Sequence, residues 1–231
     1  MKTRMLIAVM ILLVSTSFKP GNEGMETGKI SEKGNPGEFK LVKNVSDIRI
    51  STRWIPVTED RSARQIKAEY VINGPVSKVL SVLCNDASFV KWMKGIKDYY
   101  RLKTVNPVQW YSYIQFGLPW PLQNQDCIIK YEIAENAQKG ITVVSLTGMP
   151  AFLKSFDGVD RIPHMEGTWR LTDLGNNKVG VEYMMYSNQK SKFPRWITDP
   201  IIQKSMVETM DAFRSMVNKG VSNNLTYNEK Y

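Results

Sequence analysis

Residues 194–220, PRWITDPIIQKSMVETMDAFRSMVNKG, decide the fold, because they form the longest periodic segment of the chain. Apolar residues recur there at three- and four-residue spacing, which predicts one long amphipathic helix. Its apolar stripe is Trp196, Ile197, Ile201, Ile202, Met206, Met210, Phe213 and Val217. Pro200 either kinks this helix or starts it with Asp199 as the cap, and Gly220 marks its end.

Upstream of this helix, apolar and polar residues alternate in eight segments, and these segments are the predicted packing partner of its apolar stripe. Such alternation is typical of strands with one buried face. The segments are 48–54, 66–72, 96–102, 108–116, 126–134, 141–147, 169–172 and 179–185. A short amphipathic helix begins at Pro75 and ends near Asn85. This order of elements predicts an α+β domain in which an antiparallel sheet packs against the long C-terminal helix.

The N-terminus has the pattern of a secretory signal peptide. Lys2 and Arg4 precede an apolar run from Met5 to Val14, and small residues follow up to Ser17. The run is shorter than the roughly 20 residues of a membrane-spanning helix, so we expect cleavage near Ser17, with a retained anchor as the alternative. The predicted segments are a signal peptide (1–17), a flexible leader (18–38), the domain (39–219) and a C-terminal tail (220–231). We therefore expect an exported protein, periplasmic or extracellular.

Charge and composition limit the possible partners. The formal net charge is +9, and it falls to +7 when residues 1–17 are removed. Because export is expected and the basic residues are scattered singly, solubility explains the charge first, an anionic membrane surface second, and nucleic acid is not expected. With His164, Cys84 and Cys127 as the entire set of histidines and cysteines, we expect no metal and no cofactor. The cysteines are read as buried free thiols, with a disulfide as the alternative.

Several short motifs, in this order and on these elements, resemble the START domains, the lipid-transfer domains related to steroidogenic acute regulatory protein. They are Arg53 in the first strand, Trp92 after the short helix, residues 118–122 (LPWPL) before Asp126, residues 158–162 with Arg161, Gly167 before Trp169, and residues 194–196 (PRW). The resemblance covers about residues 39–218. It implies a helix-grip fold, a curved antiparallel sheet around the long helix, with an internal apolar cavity for a lipid or other apolar small molecule.

Two departures from the resembling family concern the ligand. Members usually carry Arg before the aspartate that matches Asp126, and Gln125 stands there, so the ion pair of that arginine is expected to be missing. Sterol-binding relatives often have an acidic residue and an arginine on adjacent cavity strands, and the matching positions are Ser112 and Tyr131. Two neutral hydroxyl groups thus replace a charge pair, and the resemblance does not extend to steroid specificity.

The inward strand faces and the helix stripe together predict the cavity wall. Methionines and tyrosines suit an adaptable apolar pocket with a few orienting polar groups. The predicted lining residues are Tyr100, Ser112, Ile114, Ile129, Tyr131, Trp169, Tyr183, Met185, Met206, Met210 and Phe213. The alternative is that they pack against one another as an ordinary core.

A long loop from Met149 to Pro163 combines apolar residues with neither helical nor strand period. We predict that Phe152, Leu153 and Phe156 form a gate loop, because the matching region of the resembling family covers the cavity mouth and helps to engage membranes. In the alternative interpretation the two phenylalanines only pin the loop to the body of the domain.

The sequence thus predicts a non-enzymatic carrier of a lipid or another apolar small molecule. The alternative is a cavity enzyme of the cyclase or hydrolase type that acts on an aromatic or polyketide-like substrate. Asp126, Glu166 or His164 would then carry protons. A third possibility is an interaction domain without a ligand, whose own side chains fill the pocket.

Overall fold

The computed structural model describes residues 37–59, 61–118, 120, 122–188 and 194–220, and in these ranges the chain forms ten strands and three α-helices. The strands are β1 (Lys40–Val45), β2 (Ile48–Thr58), β3 (Arg61–Asn73), β4 (Ile96–Asn106), β5 (Gln109–Phe116), β6 (Asn124–Asn136), β7 (Ile141–Gly148), β8 (Val159–Arg161), β9 (Met165–Asp173) and β10 (Lys178–Ser187). The helices are α1 (Val76–Leu83), α2 (Asp86–Trp92) and α3 (Arg195–Lys219). The predicted signal peptide, most of the leader and the tail beyond Gly220 lie outside the described residues.

All ten strands join in one sheet, ordered β1-β2-β3-β10-β9-β7-β6-β5-β4, with β8 beside β6. The pairs along this path are antiparallel, and β8 runs parallel to β6. Helix α3 contacts β1, β2, β3, α1 and α2. The predicted α+β architecture, an antiparallel sheet around the C-terminal helix, is confirmed.

Helix α3 begins at Arg195, so Pro200 lies inside it, and Gly220 with a φ of 80° follows its last residue. Its inner face buries Ile202, Met206, Met210, Phe213 and Val217 completely. Trp196 and Ile197 were predicted in the same stripe but are exposed. The stripe is therefore buried only from the second turn onwards.

The structure contains three elements that the sequence did not indicate. Strand β1 is a mostly exposed edge strand, and β8 is a three-residue strand within the loop before β9. Helix α2 was predicted as a turn. Asn85 is the N-cap of α2, and its side chain accepts a hydrogen bond of 2.8 Å from the backbone N–H of Ser88.

The strand registers place four connections at the same end of the sheet, which we call the α3-start end. They are the β2–β3 turn, the β5–β6 connection with Trp120, the β7–β9 connection with Phe152 and Phe156, and the junction marked by the end of β10 and the start of α3. The pairs that fix this arrangement are Thr58 with Arg61, Phe116 with Gln125, Thr147 with Glu166, and Ser187 with Met165. The β1–β2, β4–β5, β6–β7 and β9–β10 turns lie at the opposite end.

Candidate ligand-binding interior

The centre of the interior is an aromatic cluster around Trp169 of β9. Its ring lies 4.9 Å from Phe213 of α3, 4.5 Å from Tyr183 of β10 and 5.9 Å from Trp92 of α2, measured between ring centroids. The Tyr183 hydroxyl donates to the sulfur of Met185 at 3.2 Å. The structure therefore brings four predicted lining residues together, and in this region they pack against one another.

The two inward methionines of α3 complete this side of the interior. Met206 and Met210 are fully buried, and the Tyr70 hydroxyl donates to the Met210 sulfur at 3.4 Å. Thioether sulfur is a weak acceptor. Burial raises the pKa of both Tyr70 and Tyr183, so these hydroxyls stay neutral and serve as weakly engaged polar groups in an apolar wall.

The opposite wall is formed by β5 and β6. The ring of Tyr131 stacks on Trp110 at 4.9 Å and 4°, and Ser112, Ile114 and Ile129 are buried beside them on the same strand faces. These four predicted lining residues of β5 and β6 thus lie on the inward face. Burial raises the pKa of Tyr131 well above its ordinary value.

Tyr100 was predicted to line the interior, and the structure corrects this. Bulges interrupt the β4–β5 register between Ile96 and Asp98 and between Arg101 and Lys103. Each extra residue reverses the side-chain alternation that follows it. Tyr99 consequently packs against the core, whereas the Tyr100 ring stacks on Tyr113 at 4.7 Å, on the outer face of β5.

A partly buried polar network follows from the inward position of Tyr99. Its hydroxyl lies 2.8 Å from an Asp86 carboxylate oxygen and 3.1 Å from the Ser112 hydroxyl. Asp86 also accepts bonds of 2.7 to 3.1 Å from Arg101, whose Nη2 donates to the Cys84 carbonyl. A charge pair therefore does adjoin Ser112. It consists of Arg101 from β4 and Asp86 from α2, and not of residues at positions 112 and 131 on β5 and β6.

Asp126 has an arginine partner, although not the one that precedes it in related sequences. Arg161 of β8 binds both carboxylate oxygens of the fully buried Asp126, at 2.6 and 3.0 Å. The same guanidinium donates to the carbonyls of Pro150 and Leu153 at 2.7 and 2.9 Å. The expected loss of an ion pair at Gln125 is thus compensated by Arg161, which also holds the predicted gate loop.

The rings of the predicted gate loop lie on the outer face of β5. Phe152 stacks on Tyr111 at 4.6 Å, and Phe156 meets Tyr113 edge-on at 5.5 Å. Both phenylalanines remain partly exposed, and the Leu153 carbonyl is held by Arg161. The gating role of this loop stays a prediction. If the loop opens, it must first break these contacts with Tyr111, Tyr113 and Arg161.

The proposed proton carriers of the enzyme alternative fall into separate groups. His164 Nε2 lies 3.1 Å from the Tyr186 hydroxyl and 3.3 Å from a Glu166 oxygen, and both His164 and Glu166 are substantially exposed. Burial and the neighbouring Glu166 raise the pKa of Tyr186 to about 12. Asp126 is instead engaged by Arg161.

The two cysteines are free thiols, and burial raises the pKa of Cys84 to about 11 and that of Cys127 still further. Thiolates are therefore disfavoured at both positions. Within the described ranges, no three His, Cys, Asp or Glu side chains are grouped as a metal site requires. None of the helices in the described part of the chain is long and apolar enough to cross a membrane.

Comparison with solved structures identifies the fold. A STAR-related lipid transfer protein from Xanthomonas axonopodis is 23% identical, with a TM-score of 0.68 over 78% of this chain and 98% of that chain. The chain has the START fold. Human StAR-related lipid transfer protein 5 is 13% identical, with a TM-score of 0.64 over 81% of this chain and 89% of that one. The Zhui aromatase/cyclase of a Streptomyces species is 10% identical, with a TM-score of 0.50 over 68% and 94%.

Comparison of sequences is less informative than comparison of structures. No family model matches the chain. It is 21% identical to an uncharacterized protein of Pseudomonas aeruginosa over 185 residues, which are 79% of this chain and 88% of that protein.

A concavity of about 1020 Å³ lies outside the interior, at the end of the sheet opposite the α3-start end. Its wall carries charged side chains of both signs. They are Asp47, Arg49, Glu69, Arg170, Lys178, Glu182 and Arg214. The predicted lining residues do not contribute to this wall, so it is a polar outer surface and not the predicted apolar cavity.

Proposed function

We propose that the protein binds a lipid or another apolar small molecule between the sheet and α3 and carries it without chemical change. The proposal rests on one observation, the START fold shared with a STAR-related lipid transfer protein over 98% of that protein's chain. The make-up of the interior supports it. The buried interior includes two methionines of α3, the Trp110–Tyr131 stack and weakly engaged tyrosine hydroxyls, and this combination suits an apolar molecule with few polar groups.

We propose further that the protein acts outside the cytoplasm, after removal of residues 1–17. The support is the charge and apolar pattern from Lys2 to Ser17. Intact-mass measurement of protein recovered from its native cells, fractionated by compartment, tests this. A mature N-terminus between Ser17 and Asn22 is expected, and a cytosolic protein that still begins at Met1 would contradict it.

Contact with a membrane surface is part of the proposal, and the exposed aromatic residues support it. Trp120 is 92% exposed and Trp196 is 77% exposed, and both lie at the α3-start end together with Phe152 and Phe156. In the described ranges, the other exposed large apolar side chains are aliphatic. Indole rings favour the membrane–water interface, and the net positive charge favours anionic lipid. We propose that this end meets the bilayer.

Native mass spectrometry of gently purified protein tests the carrier function. A carrier is expected to retain endogenous lipid, and the His164→Ala and Glu166→Gln variants are expected to retain it equally. Removal of a working acid or base lowers a reaction rate by about 10² to 10⁴. Turnover of an aromatic substrate that disappears in either variant would therefore establish the enzyme alternative.

Vesicle flotation tests the membrane contact. Trp120→Ser and Trp196→Ser are expected to weaken binding to anionic vesicles, because each removes an interfacial anchor. Val108→Ser, also exposed but in the β4–β5 turn at the opposite end, is the matched control and should bind as the unmodified protein does. Equal weakening by all three variants would refute the assignment of this end.

A further inference from the structure

Unpartnered polar atoms gather at the last residue of β10 and in the first half of α3. The described residues include buried side-chain atoms without a hydrogen-bond partner at Ser187 Oγ, Arg195 Nε, Asp199 Oδ1 and Ser205 Oγ. Buried polar groups are normally paired, because an unmet donor or acceptor in the interior is costly. Several such atoms within one region indicate groups that are kept for a partner outside the chain.

A buried arginine lies at the centre of this region. Arg64 of β3 is 4% exposed, and its guanidinium hydrogen-bonds Asp199 Oδ2. Arg195 Nη2 lies 3.3 Å from the same oxygen, and its guanidinium covers the Trp54 ring at 4.9 Å. One carboxylate oxygen thus serves two guanidinium groups while the second carboxylate oxygen has no partner. The three side chains together carry one excess positive charge.

Ser187 adjoins this charged group on the neighbouring strand. Met185 of β10 pairs with Ile66 of β3, and Ser187 and Arg64 are each two residues further towards the α3-start end, on the same inward faces. Ser187 is fully buried. Its hydroxyl can both donate and accept a hydrogen bond, and the register puts Ser187 on the inward face of β10, level with Arg64 on the inward face of β3.

We infer that Arg64, Arg195, Asp199 and Ser187 bind the head group of an amphiphilic ligand, an anionic phosphate ester that also carries a hydroxyl group. This inference rests on the proposed lipid-binding function. The excess positive charge matches one phosphate, for which guanidinium groups are suited. Asp199 Oδ1 only accepts, so it requires a donor such as a hydroxyl, and Ser187 supplies a further hydrogen bond to either group.

The head group reaches these atoms when the first turn of α3 moves away from the sheet, since Arg64 and Ser187 are buried and the side chains of Arg195 and Asp199 are mostly covered. Two features reduce the hydrogen bonding that fixes this turn. Pro200 has no N–H to donate to the carbonyl of Trp196, and Pro194 provides no side-chain cap. The exposed Trp196 lies on the same turn, so the proposed membrane contact and the head-group site share one movable segment.

The test is a competition among three lipids with identical acyl chains, followed by native mass spectrometry. Phosphatidylglycerol carries the charge and the hydroxyls, phosphatidylmethanol carries the charge alone, and phosphatidylcholine is zwitterionic. We expect phosphatidylglycerol to be taken up about tenfold more than phosphatidylcholine, the effect of one charge-assisted contact. Ser187→Ala should reduce this preference about fivefold without lowering the melting temperature, because its hydroxyl has no partner. Arg195→Gln should remove the preference for anionic lipids.

Matched controls are Ser145→Ala on the outer face of β7 and Arg49→Gln beside the outer concavity, and both should keep the preference. Uptake of no lipid by the unmodified protein would overturn the proposed function and this inference together. Equal uptake of the three lipids would overturn the inference alone, as would a preference that persists in both Ser187→Ala and Arg195→Gln. If Arg195→Gln does not fold, Ser187→Ala decides.

Discussion

Replacing Arg161 with methionine should destabilise the protein strongly, because it leaves a buried carboxylate without its partner. Asp126 is fully buried, and Arg161 supplies two hydrogen bonds to it at 2.6 and 3.0 Å. Breaking such a buried pair costs about 3–5 kcal/mol. For a domain of this size, that corresponds to a fall in melting temperature of roughly 6–20 °C. Thermal and urea unfolding followed by circular dichroism measure the loss.

The same variant should loosen the predicted gate loop, since Arg161 also holds the carbonyls of Pro150 and Leu153. Faster tryptic cleavage after Lys154 under native conditions is the expected sign. Lys204→Met is the control, because its ion pair with Glu208 lies on the exposed face of α3 and should contribute no more than about 1 kcal/mol. Adding Asp126→Leu to Arg161→Met should restore at least about 1 kcal/mol by removing the unpaired charge. A loss below about 1 kcal/mol in Arg161→Met would refute this reasoning.

Three further predictions concern the loop, the interior and alkaline pH. Phe152→Ser and Phe156→Ser should each cost at most roughly 1.5 kcal/mol of unfolding free energy, the value of one aromatic pair, while slowing lipid exchange between vesicles; a loss of several kcal/mol would make these rings part of the core. Met210→Trp should abolish lipid retention in native mass spectra at a cost of about 1–3 kcal/mol from overpacking, and full lipid occupancy would refute an interior site. Because burial raises the pKa of Tyr70 and Tyr183, the unfolded chain loses these protons first, so stability should fall above about pH 10 by up to 1.4 kcal/mol per pH unit for each tyrosine. A flat alkaline stability profile would contradict the burial of these hydroxyls.

The sheet and α3 could be predicted because each has one buried face, and one buried face leaves a regular period in the sequence. Ile66, Ala68, Tyr70 and Ile72 show this directly, since all four are buried and the residues between them are not. The Asn–Asp pair at residues 85–86 shows the limit. It was interpreted as the end of one helix, and it is also the start of the next, because a seven-residue helix is too short to show its own period.

The bulged strand β4 explains most of what the sequence did not indicate about the interior. Because residues 99 and 100 are both tyrosines, the sequence does not show which of them faces inwards. The bulge between Ile96 and Asp98 decides that it is Tyr99. Arg101 and Asp86 then meet because β4 and α2 pack together in three dimensions. The spacing of residues in the sequence does not predict such a pair. The partnership of Asp126 with Arg161 likewise depends on β8, a strand of three residues that forms only beside β6.

The pairing of β3 with β10 has a consequence for how the chain folds. Asn73 pairs with Lys178, so the centre of the sheet joins a strand from the first third of the chain to the last strand before α3. Contacts between such distant residues form late, because the intervening loop must close first. A growing polypeptide leaving the ribosome therefore exposes the unpaired edge of β3 until nearly all of the sequence has been synthesised. During that interval the nascent chain is open to aggregation and available to chaperones.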